Sequence, residues 1–147
     1  MIISASRRTD IPSYYSEWLI NRLTEKYVLV RNPMNIHQVS KIDLSPDVVD
    51  AIVFWTKNPT PMLPYLEQIK DYTYYFQFTL SAYGPDVERN LPSKNKIIIP
   101  TFQKLSKEIG KEKVQWRYNP IFFNGQYSME YHCKYFEVLA SELAVFS

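Results

Sequence analysis

Five short runs rich in β-branched and aromatic residues alternate with stretches of helical periodicity, and this alternation limits the fold more than any other feature of the chain. The runs are 2–6 (IISAS), 27–31 (YVLVR), 51–57 (AIVFWTK), 74–80 (YYFQFTL) and 113–118 (KVQWRY), each of strand length. Tyr15, Trp18, Leu19 and Leu23 form one helical stripe; Met62, Leu66 and Ile69 form a second, with Thr60 as cap and Pro61 in the first turn. A third passes through Phe102, Leu105 and Ile109 to Gly110, starting earlier with a bend at Pro100. The last, Tyr131, Tyr135, Leu139, Leu143 and Phe146, begins after Ser128. Such alternation predicts parallel strands joined by right-handed crossovers. The segment NIHQVSKIDLSPDVV (35–49) breaks the rhythm and carries only a short helix signal after Ser45 and Pro46.

Period-two alternation divides each strand into two faces. Tyr74, Phe76, Phe78 and Leu80 oppose Gln77 and Thr79; Val114, Trp116 and Tyr118 oppose Gln115, Arg117 and Asn119; Ser4, Ser6 and Arg8 share a face. An open doubly wound sheet wants both faces apolar, whereas a barrel can turn its second face into a lumen. The expected architecture is therefore α/β, a partial (β/α) barrel of about five parallel strands. The chain of 147 residues reads as a single domain. The final helical pattern runs into Ser147 without a stop signal, so the chain is expected to be truncated.

Three of the strand runs end on a cation beside an Asn-Pro pair: VRNP, TKNP and RYNP. In parallel α/β architectures ligands bind beyond the carboxyl ends of the strands. Arg7, Arg8, Arg31, Lys57 and Arg117 are placed there by these strand assignments, and few acids apart from Asp10 lie nearby. Cations gathered on one rim call for a phosphate or carboxylate, with Arg suited to bidentate contact and Lys acting as a point charge. Asn32, Asn58, Gln77, Thr79 and Asn119 would add neutral hydrogen bonds. Against this stands the plainer reading in which Lys57 and Arg117 meet water or pair with Asp10, Asp50 or Glu88. Asp10 is expected to cap the helix that follows at Pro12.

Composition removes several alternatives. A net charge of +2 gives weak support for nucleic acid, and three glycines leave almost no material for a phosphate-binding glycine loop. One cysteine, Cys133, excludes an internal disulfide framework and fits a reducing compartment. His37 and His132 stand alone, without metal-ligand spacing, so no metal site and no cofactor are expected on this chain by itself. No signal peptide or membrane span is visible, so a cytoplasmic location without membrane attachment is expected. A half barrel leaves strand edges free to pair with a second copy.

At ISASRRTDIPSYYSEWLINRL, VLVRNPMN, VDAIVFWTKNP, YYFQFTLSAYG and QWRYNPI, the chain resembles a bacterial family of unknown function. Full-length members are about twice as long and carry a C-terminal cysteine cluster similar to that of radical S-adenosylmethionine enzymes. The resemblance implies that this chain, residues 1–147, is the N-terminal half of a (β/α)-barrel enzyme, with an iron-sulfur cluster and S-adenosylmethionine for the longer protein, ligands beyond Ser147 and a catalytically silent fragment here. The family's usual RYDPI is RYNPI in this chain, so Asn119 stands where a carboxylate would be. No catalytic residue is assigned. The rival reading is a self-contained, non-catalytic α/β module that binds a phosphorylated ligand or single-stranded nucleic acid.

Overall fold

A computed structural model describes residues 1–5 and 9–147. Four strands, β1 (Ile2–Ser4), β4 (Ala51–Thr56), β5 (Tyr74–Thr79) and β6 (Val114–Arg117), form one parallel sheet in the order β1-β4-β5-β6. Helices α1 (Ile11–Tyr14), α2 (Ser16–Glu25), α3 (Ile99–Ile109) and α4 (Met129–Leu143), with a 3-10 helix at Thr60–Ile69, alternate with these strands. The fold is thus mixed α/β with an open parallel sheet, and no barrel is closed.

The run at 27–31 is not a fifth parallel strand. It begins β2 (Tyr27–Asn32), which pairs antiparallel with β3 (Asn35–Asp43) in a separate two-stranded sheet. The expected helical signal after Ser45 amounts to a turn, in which Val48 and Val49 donate to the Ser45 carbonyl. Segment 35–43 alternates Ile36, Gln38, Ser40 and Ile42 with His37, Val39 and Lys41, a mixed pattern without one apolar face. Its strand is accordingly almost wholly exposed. The hairpin is tied at its base, where Leu44 N donates to the Lys26 carbonyl and the buried Tyr72 hydroxyl donates to the Leu44 carbonyl at 2.7 Å.

The helices follow their local chemistry. Asp10 accepts from Ser13 N at 3.0 Å and caps α1, with Pro12 in its first turn. In α2 the buried face is Ser16, Leu19, Ile20 and Leu23, while Tyr15 and Trp18 lie half exposed. The break at Tyr15 between the two helices resets the phase that the sequence stripe assumed. The helix at 60–69 winds as 3-10, since Pro64 inside it has no N–H and its ring would clash with an α-helical carbonyl four residues back. Its cap is not Thr60; instead Asn58 Oδ1 accepts from Thr60 N and Thr60 Oγ1. A π turn at Lys94–Ile98 leads into α3, which Gly110 ends at φ 93°, a conformation that suits glycine. Ser128 caps α4 as expected. That helix stops at Leu143 rather than continuing to Ser147, whose hydroxyl accepts from Trp116 N and donates to the Val114 carbonyl on the outer edge of β6.

All these helices share one core with a single face of the sheet. Ile52, Phe54, Phe76 and Phe78 are fully buried against Met62, Ile69, Phe102 and Leu105. The Phe54 and Phe76 rings stack at 4.8 Å, and Phe78 meets Phe102 edge to face at 5.1 Å. Burying each such ring stabilises the fold by roughly 1.5–3 kcal/mol. Along β5 burial alternates strictly, with Tyr74, Phe76 and Phe78 inside and Tyr75, Gln77 and Thr79 only half covered.

Candidate functional site

The second face of the sheet carries the polar residues picked out by alternation. The register aligns Trp55, Gln77 and Gln115 in one row and places Thr79 beside Arg117 in the next. Arg117 is the last residue of β6, and its guanidinium lies 4.2 Å from the centre of the Trp55 ring. Two strand spacings and two residues separate them, about 12 Å between backbones, so the Arg117 side chain stretches over the middle of this face. The contact is a cation–π pair of about 1 kcal/mol at a half-exposed site. Arg117 donates no hydrogen bond to any described residue, and the side chains of Gln77, Thr79, Gln115 and Asn119 likewise have no hydrogen-bond partner among the described residues. Asn119 sits half buried just past β6, before a cis bond to Pro120.

Lys57 follows β4 and, one residue further along the same register, lies level with Thr79 and Arg117, about 10 Å from the latter at the backbone. Its side chain engages a different group. The ammonium pairs with Glu88 in the segment after β5, and Lys94 Nζ lies 2.5 Å from the other Glu88 oxygen. Burial alone would raise the Glu88 carboxyl, but hydrogen bonds and charge from Lys57 and Lys94 outweigh it and hold the group below the usual glutamate range. Burial, joined by repulsion from Lys57, lowers the Lys94 ammonium against the raising effect of Glu88. Lys94 also donates to the Ser81 carbonyl at 2.6 Å and to the Tyr83 carbonyl, clamping the chain as it leaves β5.

Asp10 organises the same end of the sheet. Besides capping α1, its second oxygen accepts from Thr56 Oγ1 at 3.0 Å and Lys57 N at 2.8 Å. Ser13 Oγ donates to the Asn58 carbonyl at 2.8 Å. These contacts fix the exit of β4.

The predicted site residues therefore divide. Lys57, Asn58, Gln77, Thr79, Arg117 and Asn119 all lie at the carboxyl end or on the open face of the parallel sheet. Arg31 and Asn32 do not: both belong to β2 in the separate hairpin, because that run pairs with 35–43 and not with the sheet. Arg7 and Arg8 lie outside the described residues. In the two Asn-Pro pairs with hydrogen bonds to the residue after the proline, Asn32 accepts from Met34 N and Asn58 from Thr60 N, so these carbonyl oxygens serve turns. For Lys57 the plainer expectation of a Glu88 pair is met.

Sequence reasoning missed Lys94, Ser81, Tyr83 and the central place of Glu88. Glu88 and Lys94 stand six residues apart in a loop of irregular composition, where no periodicity marks them as partners. It also missed an aromatic block beyond β6, in which Tyr83 stacks on Phe122 at 4.6 Å beside Tyr127 and His132. His132 is buried. The Phe122 carbonyl can only accept, so His132 Nε2 carries the proton and Nδ1 accepts from the Tyr118 hydroxyl at 2.9 Å. Burial pushes the Tyr118 phenol up to about 12, so it remains a donor.

Cys133 is exposed on α4, and among the described residues no three His, Cys, Asp or Glu side chains are grouped to hold a metal ion. No described helix is long and apolar enough to cross a membrane. No curated protein and no solved structure matches the chain. A family profile does, over residues 2–147, and the chain thereby belongs to DUF1848, a domain of unknown function.

Proposed function

We propose that this chain is the amino-terminal part of a radical S-adenosylmethionine-like iron-sulfur enzyme, built as part of a (β/α) barrel. Its open sheet face holds an anionic group, phosphate or carboxylate, at the carboxyl ends of the strands. One observation supports the ligand contact above all others: a half-buried guanidinium, Arg117, is stretched over Trp55 in a polar row without an acceptor among the described residues. A guanidinium has five donors in a planar fork that matches an oxyanion. Thr79 and Gln77 lie beneath it and Asn119 follows it, all able to supply neutral hydrogen bonds. Helices on one face only leave the other face available as the wall of a lumen.

The iron-sulfur cluster does not fit the residues of this chain, since Cys133 is its one cysteine and is exposed. Its ligands belong to residues outside the chain, and the chain alone is catalytically silent. Inorganic phosphate titrated at low salt and followed by tryptophan emission tests the anion contact, because Trp55 carries the Arg117 group. Arg117→Ala is expected to weaken binding at least about tenfold, the scale of one charge-assisted hydrogen bond; unchanged affinity refutes the contact. Reading the gene beyond codon 147 tests the enzyme assignment. A downstream cysteine cluster supports it, and an immediate stop codon favours a non-catalytic anion-binding module.

A further inference from the structure

The Lys57 ammonium opens on a cleft of 420 Å³, bounded by Asp10, Ser13 and Tyr14 on one side and by residues 87–92 on the other. A smaller cleft of 240 Å³ lies across Glu88, with Tyr83 and Lys94 in its wall. Glu88 lines both, and its carboxylate, 5% exposed, holds Lys57 in one and Lys94 in the other. Arg117 lines neither.

The two lysines differ in what they have left to give. Lys94 directs its donors at Glu88 and at the Ser81 and Tyr83 carbonyls, and an ammonium has only three. Among the described residues the Lys57 ammonium makes one hydrogen bond, to Glu88, and its side chain is 40% exposed. Arg89, in the cleft wall, is exposed and has no hydrogen bond or ion pair with a described residue. The acids are already satisfied: Asp10 accepts from Ser13 N, Thr56 Oγ1 and Lys57 N, and Glu88 lies between two ammonium groups. Of the charged side chains that line this cleft, Lys57 and Arg89 are therefore the ones with donors left over among the described residues.

We infer that this cleft is a second anion site, separate from the open sheet face, which takes the phosphate group of a small phosphorylated metabolite between Lys57 and Arg89. Glu88 is its built-in counter-ion: it holds Lys57 in place and limits how tightly the anion is gripped. A cleft of this size has room for a substituent beside the phosphate, since small-molecule sites run from roughly 300 to 1,000 Å³. Lys57 need not release Glu88 when phosphate arrives, because two of its donors remain.

Glycerol 3-phosphate titrated into the 15N-labelled chain at low salt tests the site by amide shifts. The expected shifts fall on Asn58 and on 87–91. Arg89→Ala should weaken binding about fivefold or more. Glu88→Gln should tighten it roughly five- to tenfold, as expected for removal of one negative charge several ångströms away in a half-exposed setting. Shifts confined to Thr79 and the Gln77 and Gln115 side chains, insensitive to Arg89→Ala, would overturn the cleft site while leaving the open-face reading intact. Absence of shifts anywhere would overturn both. Weaker binding by a folded Glu88→Gln variant would refute the counter-ion role; if that variant does not fold, Arg89→Ala decides alone.

Discussion

Glu88→Gln is also the most informative perturbation of stability. The substitution keeps shape and removes a charge that two ammonium groups share. Breaking a fully buried pair from one side costs about 3–5 kcal/mol, because the remaining charge is stranded. Here the stranding is partial. Lys57 is 40% exposed and rehydrates, while Lys94, 20% exposed, keeps the Ser81 and Tyr83 carbonyls. A loss of about 2 kcal/mol is therefore expected, which for a chain of this size lowers Tm by roughly 4–8 °C. Thermal melts by circular dichroism across pH supply the check. The folded Glu88 pKa is depressed below its ordinary 4.5, so the unfolded chain takes up the proton first as pH falls. The stability from Glu88 is complete above about 4.5 and is lost as pH drops through the lower folded value. Wild type and variant should thus differ at neutral pH and converge below 4.5. Equal Tm at pH 7, or a difference that persists undiminished into acid, would refute the account of the triad.

Two further outcomes follow from the same geometry. His132→Phe preserves ring packing but leaves the Tyr118 hydroxyl and Phe122 carbonyl without their partner, so a loss of about 2 kcal/mol is expected in urea unfolding; no change would mean that water replaces the imidazole freely. Arg31→Ala, placed in the hairpin, should leave phosphate affinity within twofold of wild type at low salt, where exposed charges act at longest range. A larger fall would return Arg31 to the site.

Legibility varied with how strongly burial enforces a pattern. In β5 the alternation Tyr74, Phe76, Phe78 against Gln77 and Thr79 matches the structure residue by residue, because one face must enter the core. The 27–31 run misled for the converse reason. Leu29 and Val30 are 60% and 41% exposed, so their apolar character does not report burial, and β3 offers no apolar face to announce a hairpin. Each Asn-Pro pair follows the end of a strand run, yet the same dipeptide turns a hairpin at Asn32 and leads into a 3-10 helix at Asn58. The dipeptide specifies a turn, and only the partner strand decides where that turn leads. The Glu88–Lys94 contact was illegible in principle, since it depends on how a non-periodic loop closes over the end of β5.

Why two cations at one level of the sheet serve different places is a matter of where pairing stops. Arg117 is still inside the ladder, opposite Thr79, so the pleat sends its side chain to the open face, where Trp55 receives it. Lys57 is the first residue beyond the ladder. Its N–H is taken by Asp10, and the bend that follows frees its side chain from the pleat and turns it to Glu88. A strand one residue longer at β4 would have put both cations on the same face as a single rim. The Asp10 carboxylate, by ending β4 at Thr56, is what separates the open face from the cleft.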